Sequence, residues 1–188
     1  MSQRDTQDAP GTFSVKRLLP LLVMVGGFIT FFGLGLDQYL SFQALKDNRD
    51  LLLGWRDENY LMATLTFVAA YAFLSGLSVP VGLWMTLAGG FLFGTVAGGF
   101  LSLAGASVGA TMVFLAARYA FADALRAKCG TAVVKMEAGF KENQLNYMLV
   151  LRLVPLFPFW LVNLVPAFLG VKLRTYIIAT FFGIIPGT

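Results

Sequence analysis

The segment LRLVPLFPFWLVNLVPAFLG, Leu151 to Gly170, restricts the folds open to this chain more than any other. It is apolar enough to lie in a bilayer, yet Pro155, Pro158 and Pro166 each remove a backbone donor and clash with the preceding turn. One straight helix cannot run through it. A broken hairpin is expected. The carbonyls freed by the prolines need partners, and at membrane depth that is tolerated only where protein or a wet cavity surrounds the break. The hairpin, ending at Gly170, is therefore expected to face inward.

Arg152 stands just before the break with five donors, at a cost in the bilayer of about 2.5 kcal/mol upward. Two readings are open. The guanidinium can snorkel to the headgroups or bond carbonyls freed by the prolines. It can instead hold an anionic substrate group, such as a lipid phosphate, with a bidentate fork. Asn163 is expected to cap or cross-link the second half of the hairpin and is a further headgroup candidate.

Composition supports the bilayer setting. The chain is 57% hydrophobic and 13% charged, with a mean hydropathy of +0.74, which leaves too little polar surface for a water-soluble domain of this size. Its 18 phenylalanines and 20 glycines suit close helix packing rather than the alternation of a barrel. The expected class is an all-α polytopic membrane protein. The net charge of +4 comes from basic residues in the linkers, with no aromatic-interleaved patch, so no nucleic-acid partner is expected. With no histidine and a single cysteine, Cys129, the inventory excludes a Ser-His-Asp triad, a Cys/His metal cluster and an internal disulfide. No catalytic residue, metal or cofactor is assigned.

Four regions follow along the chain. Residues 1–17 form a polar tail, and residues 18–36 are an uncharged run long enough to span; a secretory signal is the rival reading, but GLGLDQ is not a small-x-small cleavage site. Residues 37–59 mix leucines with charges, as an interfacial amphipathic helix or a solvated connector would. Residues 60–188 form the core. Within it Tyr60 to Val79 is of spanning length and stops at Pro80, while Val81 to Phe93 is too short to cross and reads as re-entrant. Thr95 to Ala117 is a full crossing. Tyr176 to Ile185 is too short to cross alone, so a continuation beyond Thr188 is expected. If Val81 to Phe93 dips in and returns by itself, the linkers Asp37–Glu58 and Arg118–Asn146 share one side, which the positive-inside rule makes cytoplasmic with the tail outside.

In GGFLFGTVAGGFLSLAGASVGA, Gly89 to Ala110, small residues recur every four positions at Gly90, Gly94, Gly98, Ser102, Ala106 and Ala110, with Gly105 and Gly109 as a second pair. This spacing leaves a helix face without side-chain bulk, suited to helix packing rather than to a ligand groove.

The order of AGGFLFG, GATMVFLAARYA, LRLVPLFPFWLVN and GIIPGT resembles the DedA or VTT-domain superfamily of membrane proteins, in the branch related to the SNARE-associated Golgi proteins. The resemblance runs from about Tyr60 to Thr188. It implies two re-entrant hairpins meeting within the bilayer and movement of lipids between leaflets, as a phospholipid scramblase or a polyprenyl-phosphate flippase. Its R-x-x-P element falls on Arg152 and Pro155, its glycine-rich tip on Phe91, Phe93 and Gly94, its aromatic-arginine boundary on Arg118 and Tyr119, and its terminal motif on Pro186, Gly187 and Thr188. Arg118 thereby becomes a further headgroup candidate. In one respect the chain departs from DedA-type members. They carry an acid just after the first hairpin's proline, whereas no Asp or Glu occurs here between Tyr60 and Ala122 or after Glu142. Energy-independent lipid movement is therefore expected, unless Asp57, Glu58 or a following segment couples protons. A small-ion or solute carrier and a non-transporting scaffold are the alternatives. The expected partners are membrane lipids with anionic phosphate headgroups, with a homo-oligomer as an option, and the expected location is a bacterial inner membrane.

Overall fold

The computed structural model describes residues 15–35, 38, 41–79, 82–128, 143–154 and 159–188. Pro80, Pro155, Pro158 and Cys129 lie outside the described residues. The helices, in chain order, are α1 (Val15–Gly33), α2 (Phe42–Asp47), α3 (Arg49–Glu58), α4 (Tyr60–Gly76), α5 (Gly82–Phe93), α6 (Thr95–Lys128), α7 (Gln144–Leu153), α8 (Phe159–Phe168) and α9 (Leu173–Ile184), and a 3₁₀ turn, Ile185–Gly187, follows. Among the described residues there is no strand. Thr95–Ala120 of α6 is long and apolar enough to cross a bilayer, and at about 1.5 Å per residue the 19 residues of α1 reach roughly 28 Å.

Helix directions follow from which residues meet. Tyr71 of α4 packs on Gly105 of α6, and Ser75 on Gly109, so α4 and α6 run parallel. Tyr71 Oη also donates to the Gly82 carbonyl at 3.2 Å and lies 3.1 Å from Thr86 Oγ1, near the start of α5. Phe93, at the end of α5, meets Phe67 and Tyr60 at ring distances of 5.5 and 5.9 Å. Helix α5 is thus antiparallel to α4. It turns again at Gly94 (φ +80°) into α6, with Gly89 against Gly98. Helices α4 and α5 together make one re-entrant hairpin, α4 ending at Gly76 and α5 starting at Gly82.

The same reasoning orders the second half. Lys172 N donates to Gln144 Oε1 and Arg152 reaches Thr180, so α7 and α9 are parallel. Helix α8 links the far end of α7 back to the start of α9, and hence runs against both. Arg118 bonds the Val171 carbonyl, while Tyr176 joins Ala110 to Asn163, which sets α8 parallel to α6. Helix α7 ends at Leu153 and α8, from Phe159, runs against it, so α7–α8 is a second hairpin entering from the opposite side to α4–α5. The three helices α7, α8 and α9 run in directions inverse to α4, α5 and α6, the inverted-repeat plan of many membrane carriers.

This geometry corrects the expected sidedness. Val81 to Phe93 does not dip and return alone; its described part, α5, is a single helix that carries the chain back after α4. A 12-residue helix is only about 18 Å long and cannot fold on itself. As a result α3 and the end of α6 lie on opposite sides, not the same one. Helix α1 runs against α4, because its Gly27 meets Leu77 while Leu19 and Val23 line a groove with Leu115 and Tyr119. Its start is thus on the side of the α6 end. Among the described residues, Lys16, Arg17, Arg118, Arg126, Lys128, Lys172 and Arg174 belong to that side and Lys46, Arg49 and Arg56 to the other. The positive-inside rule predicts from this imbalance that the side of the α1 start faces the cytoplasm, the reverse of the orientation expected from the sequence.

The linker before α4 contains helices rather than a plain connector. Ser41 caps α2 by accepting from Ala44 N at 3.1 Å. Helix α3 makes a 118° bend with α4, exposes Leu51 and Trp55 and anchors to the first hairpin through Arg56, whose guanidinium donates to the Leu92 carbonyl at the end of α5. A cation there suits the negative end of a helix dipole.

The small-residue period divides by role. A Cβ on Gly98 would lie 2.2 Å from the Gly89 carbonyl oxygen, one on Gly105 2.7 Å from Tyr71 Cβ, and one on Gly109 2.6 Å from the Ala72 carbonyl oxygen. These three admit α5 and α4 to α6. Gly90 and Gly94 have nothing within 4 Å of an added Cβ, since Gly94 breaks the helix and the four-residue register does not carry across it.

Candidate functional site

Between the second hairpin and α6 lies a polar cluster in otherwise apolar surroundings. Its centre is the Tyr176 hydroxyl on α9, wholly buried, with the ring stacked on Phe114 at 4.1 Å. Arg152 Nη2 donates to Tyr176 Oη at 2.7 Å and to Thr180 Oγ1 at 2.9 Å. Tyr176 Oη in turn lies 3.0 Å from the Ala110 carbonyl and 2.8 Å from Asn163 Oδ1. A phenol has one proton and cannot donate to both. With the Asn163 amide turned end for end, its nitrogen donates to Tyr176, and the tyrosine proton serves Ala110. In either orientation one atom of the Asn163 amide, whose residue is 0% exposed, has no partner.

Two features mark the cluster as more than a structural tie. Arg152 Nε is buried and unpaired, although Nη2 uses both its protons. No carboxylate occurs in the sequence from Tyr60 to Ala122 or after Glu142, and among the described residues hydroxyls, the Tyr176 ring (5.3 Å from Cζ) and packing surround the cation. Hydroxyls solvate a cation without neutralising it. A positive charge with a spare donor and no carboxylate partner among the described residues is suited, in a low-dielectric setting, to an anionic oxygen. Packing holds the arginine stem in place, since a Cβ on Gly183 would lie 2.5 Å from Arg152 Cβ.

The structure thus brings Arg152 and Asn163 together through Tyr176. Arg118 is not among them. It is exposed, its Nη1 bonds the Val171 carbonyl at 3.3 Å, and it stands eight residues, about 12 Å along α6, from Ala110. Of the hairpin residues, Pro166 is fully buried inside α8, and Gly170 (φ +67°) ends that helix in a Schellman turn, with Val171 N donating to the Pro166 carbonyl. Phe91 is half-buried and Phe93 packs on Phe67. Pro186 and Gly187 are exposed in the 3₁₀ turn. Asp57 is exposed on α3, paired with Arg56, and Glu58 is exposed beside it. Tyr176 and Thr180 were not singled out from the sequence. Their i, i+4 spacing in an apolar helix, a polar stripe on one face, was the available signal.

Residues 79–188 match the family model of the VTT domain. A Transmembrane protein 41 homolog of Dictyostelium discoideum is 33% identical over 79% of this chain and 45% of its own length. The homolog of Caenorhabditis elegans is 25% identical over 76% of this chain and 60% of its own, and Transmembrane protein 41B of Homo sapiens 24% identical over 72% and 48%. The chain spans about half the length of these relatives. No solved structure matches it. An all-helical chain with a membrane-spanning helix and a VTT domain match over 79–188 belongs to the VTT-domain family of membrane proteins.

Proposed function

We propose that this protein lets phospholipids pass between leaflets, with the Arg152 cluster receiving the phosphate of the headgroup. The carrying observation is the Arg152 guanidinium, held by two hydroxyls, with Nε unpaired and no carboxylate in the sequence from Tyr60 to Ala122 or after Glu142. A headgroup crossing hydrocarbon loses its hydration at a cost of several kcal/mol per polar group. A cationic, hydroxyl-rich site between the second hairpin, α9 and α6 lowers that barrier. The reading involves no covalent chemistry and no resident cofactor, and with no carboxylate between Tyr60 and Ala122 or after Glu142 the movement is down the gradient. The basic tail side suits an anionic cytoplasmic leaflet such as that of a bacterial inner membrane.

The test is dithionite quenching of fluorescent phospholipid in liposomes holding the full protein. Wild type should expose inner-leaflet lipid to quencher, Arg152→Ala should reduce the rate at least tenfold, and Arg152→Lys, which keeps the charge but loses the fork, should fall between them. Equal rates for wild type and Arg152→Ala would remove the proposal. Arg152-dependent uptake of a small anion without lipid movement would assign the site to a solute carrier instead.

A further inference from the structure

Among the described residues, buried side-chain atoms without a partner occur at Ser102 and Ser107 as well as at Arg152 and Asn163. Both serines belong to α6 and differ in what faces them. Ser102 is closed in by the first hairpin, since a Cβ on Gly89 would lie 2.7 Å from its Oγ and 2.8 Å from Phe67 Cζ. Ser107 is turned toward the second hairpin. It stands three residues before Ala110 and seven before Phe114, and so shares the face of α6 whose Ala110 carbonyl and Phe114 ring meet Tyr176. Helix α8 runs parallel to α6, which puts Ser107 about one turn before the level of Asn163. Helix α9 runs the other way, so Thr180, one turn after Tyr176, comes to the level of Ser107. Thr180 is the residue that holds Arg152 Nη2 at 2.9 Å.

A hydroxyl inside an apolar helix can satisfy itself on the carbonyl four residues earlier. Thr111 does so, donating to the Ser107 carbonyl at 2.7 Å. Ser107 makes no such bond, although the residue is only 8% exposed and its Oγ is buried. A hydroxyl held dry without a partner is costly. Arg152 Nε, on the α7 side of Thr180, is in the same condition. Two unpaired donors thus approach Thr180 from α6 and from α7, and the sequence supplies no carboxylate between Tyr60 and Ala122 or after Glu142 to engage them. Such a pair fits an oxyanion, which accepts from a hydroxyl and a guanidinium at once.

We propose that Ser107 is a second donor to the phosphate received at Arg152, so that the bound oxyanion ties α6 to the second hairpin. The inference rests on the passage of phospholipid proposed for this site, and it is tested on the full chain by two measurements on the same variants: dithionite quenching in phosphatidylglycerol liposomes, and unfolding in detergent micelles free of phospholipid. Ser107→Ala should slow lipid movement roughly three- to tenfold, as the loss of one bond to a charged group would. Its unfolding midpoint should stay at or above that of wild type, because the hydroxyl has no partner to lose. Ser107→Cys fills the same space with only a weak donor and should be slowed likewise. Ser102→Ala, which removes the hydroxyl facing the first hairpin, should leave the rate unchanged. Phosphatidylglycerol added to the micelles should raise the midpoint of wild type more than that of Ser107→Ala. The same Ser107-dependent rise from inorganic phosphate alone would support the donor and assign the oxyanion to a free anion. A Ser107→Ala rate equal to wild type beside a slow Arg152→Ala would overturn this inference and leave the lipid reading standing, whereas wild-type rates for both variants would remove the two together. A Ser107→Ala midpoint well below wild type in lipid-free micelles would show a structural bond in place of a ligand donor and would overturn it as well.

Discussion

Replacing Tyr176 by Phe deletes one oxygen and leaves the stack on Phe114 intact, so its effect isolates the polar node. Three contacts vanish: the charged bond from Arg152 at 2.7 Å, the Asn163 contact at 2.8 Å and the Ala110 contact at 3.0 Å. A hydrogen bond to a charged group is worth about 1.5–3 kcal/mol, and Arg152 keeps Thr180 as a partner, which favours the lower end. Neutral bonds between membrane helices average about 0.6 kcal/mol. The Ala110 carbonyl is part of the α6 helix and so loses a second partner rather than its first. Asn163 loses the partner that holds its buried side chain. The expected destabilisation is about 2–4 kcal/mol, measured by reversible unfolding in mixed micelles. Asn163→Leu on its own leaves Tyr176 bonded to Arg152 and Ala110, and combining it with Tyr176→Phe removes both members of a pair. The double variant should therefore be less destabilised than the two single costs added, with a coupling of about 0.5–1.5 kcal/mol. A Tyr176→Phe cost below about 0.5 kcal/mol, or zero coupling, would show that the cluster is wet and that its bonds are exchanged for water, which would falsify the account of a desolvated cation.

Gly98→Ala should destabilise by about 1–3 kcal/mol in the same assay, because its Cβ would meet backbone atoms of Gly89 at 2.2 and 2.3 Å. Gly90→Ala and Gly99→Ala, with nothing within 4 Å, should instead be neutral or stabilising by up to about 1 kcal/mol. Ser78→Gly should stabilise by about 1 kcal/mol. Ser78 has φ +59° at the Schellman end of α4, where Val79 N donates to the Leu74 carbonyl, and a side chain there is strained. For orientation, single cysteines at Lys16 and Lys172 in a Cys129→Ser background should be shielded from a membrane-impermeant maleimide in intact cells, and one at Asp50 should be labelled; the opposite pattern would reverse the assigned sides.

Bilayer residence, helical class and the interruption near Pro155 were legible from Leu151 to Gly170 and from the overall composition, because each depends on interactions within a turn or two of chain. Gly94 belongs with them, since a glycine between two apolar helical runs is what a φ of +80° requires. The lack of carboxylates between Tyr60 and Ala122 and after Glu142 was equally plain and still decides the character of the Arg152 site. Other properties rest on contacts between distant residues. The spacing of Gly90, Gly94, Gly98, Gly105 and Gly109 could not say which glycines meet another backbone, since the packing partners of Gly105 and Gly109 stand more than thirty positions away on α4. The length of Val81 to Phe93 showed that it could not cross, yet only its pairing with both α4 and α6 decided the direction of α5, and with it the side on which every later loop lies. The partners of Arg152 stand 24 and 28 residues away and the Ala110 carbonyl 66 from Tyr176; a buried cation must find donors' counterparts somewhere, but local chemistry does not say where, and helix packing alone brought Tyr176 and Thr180 to it.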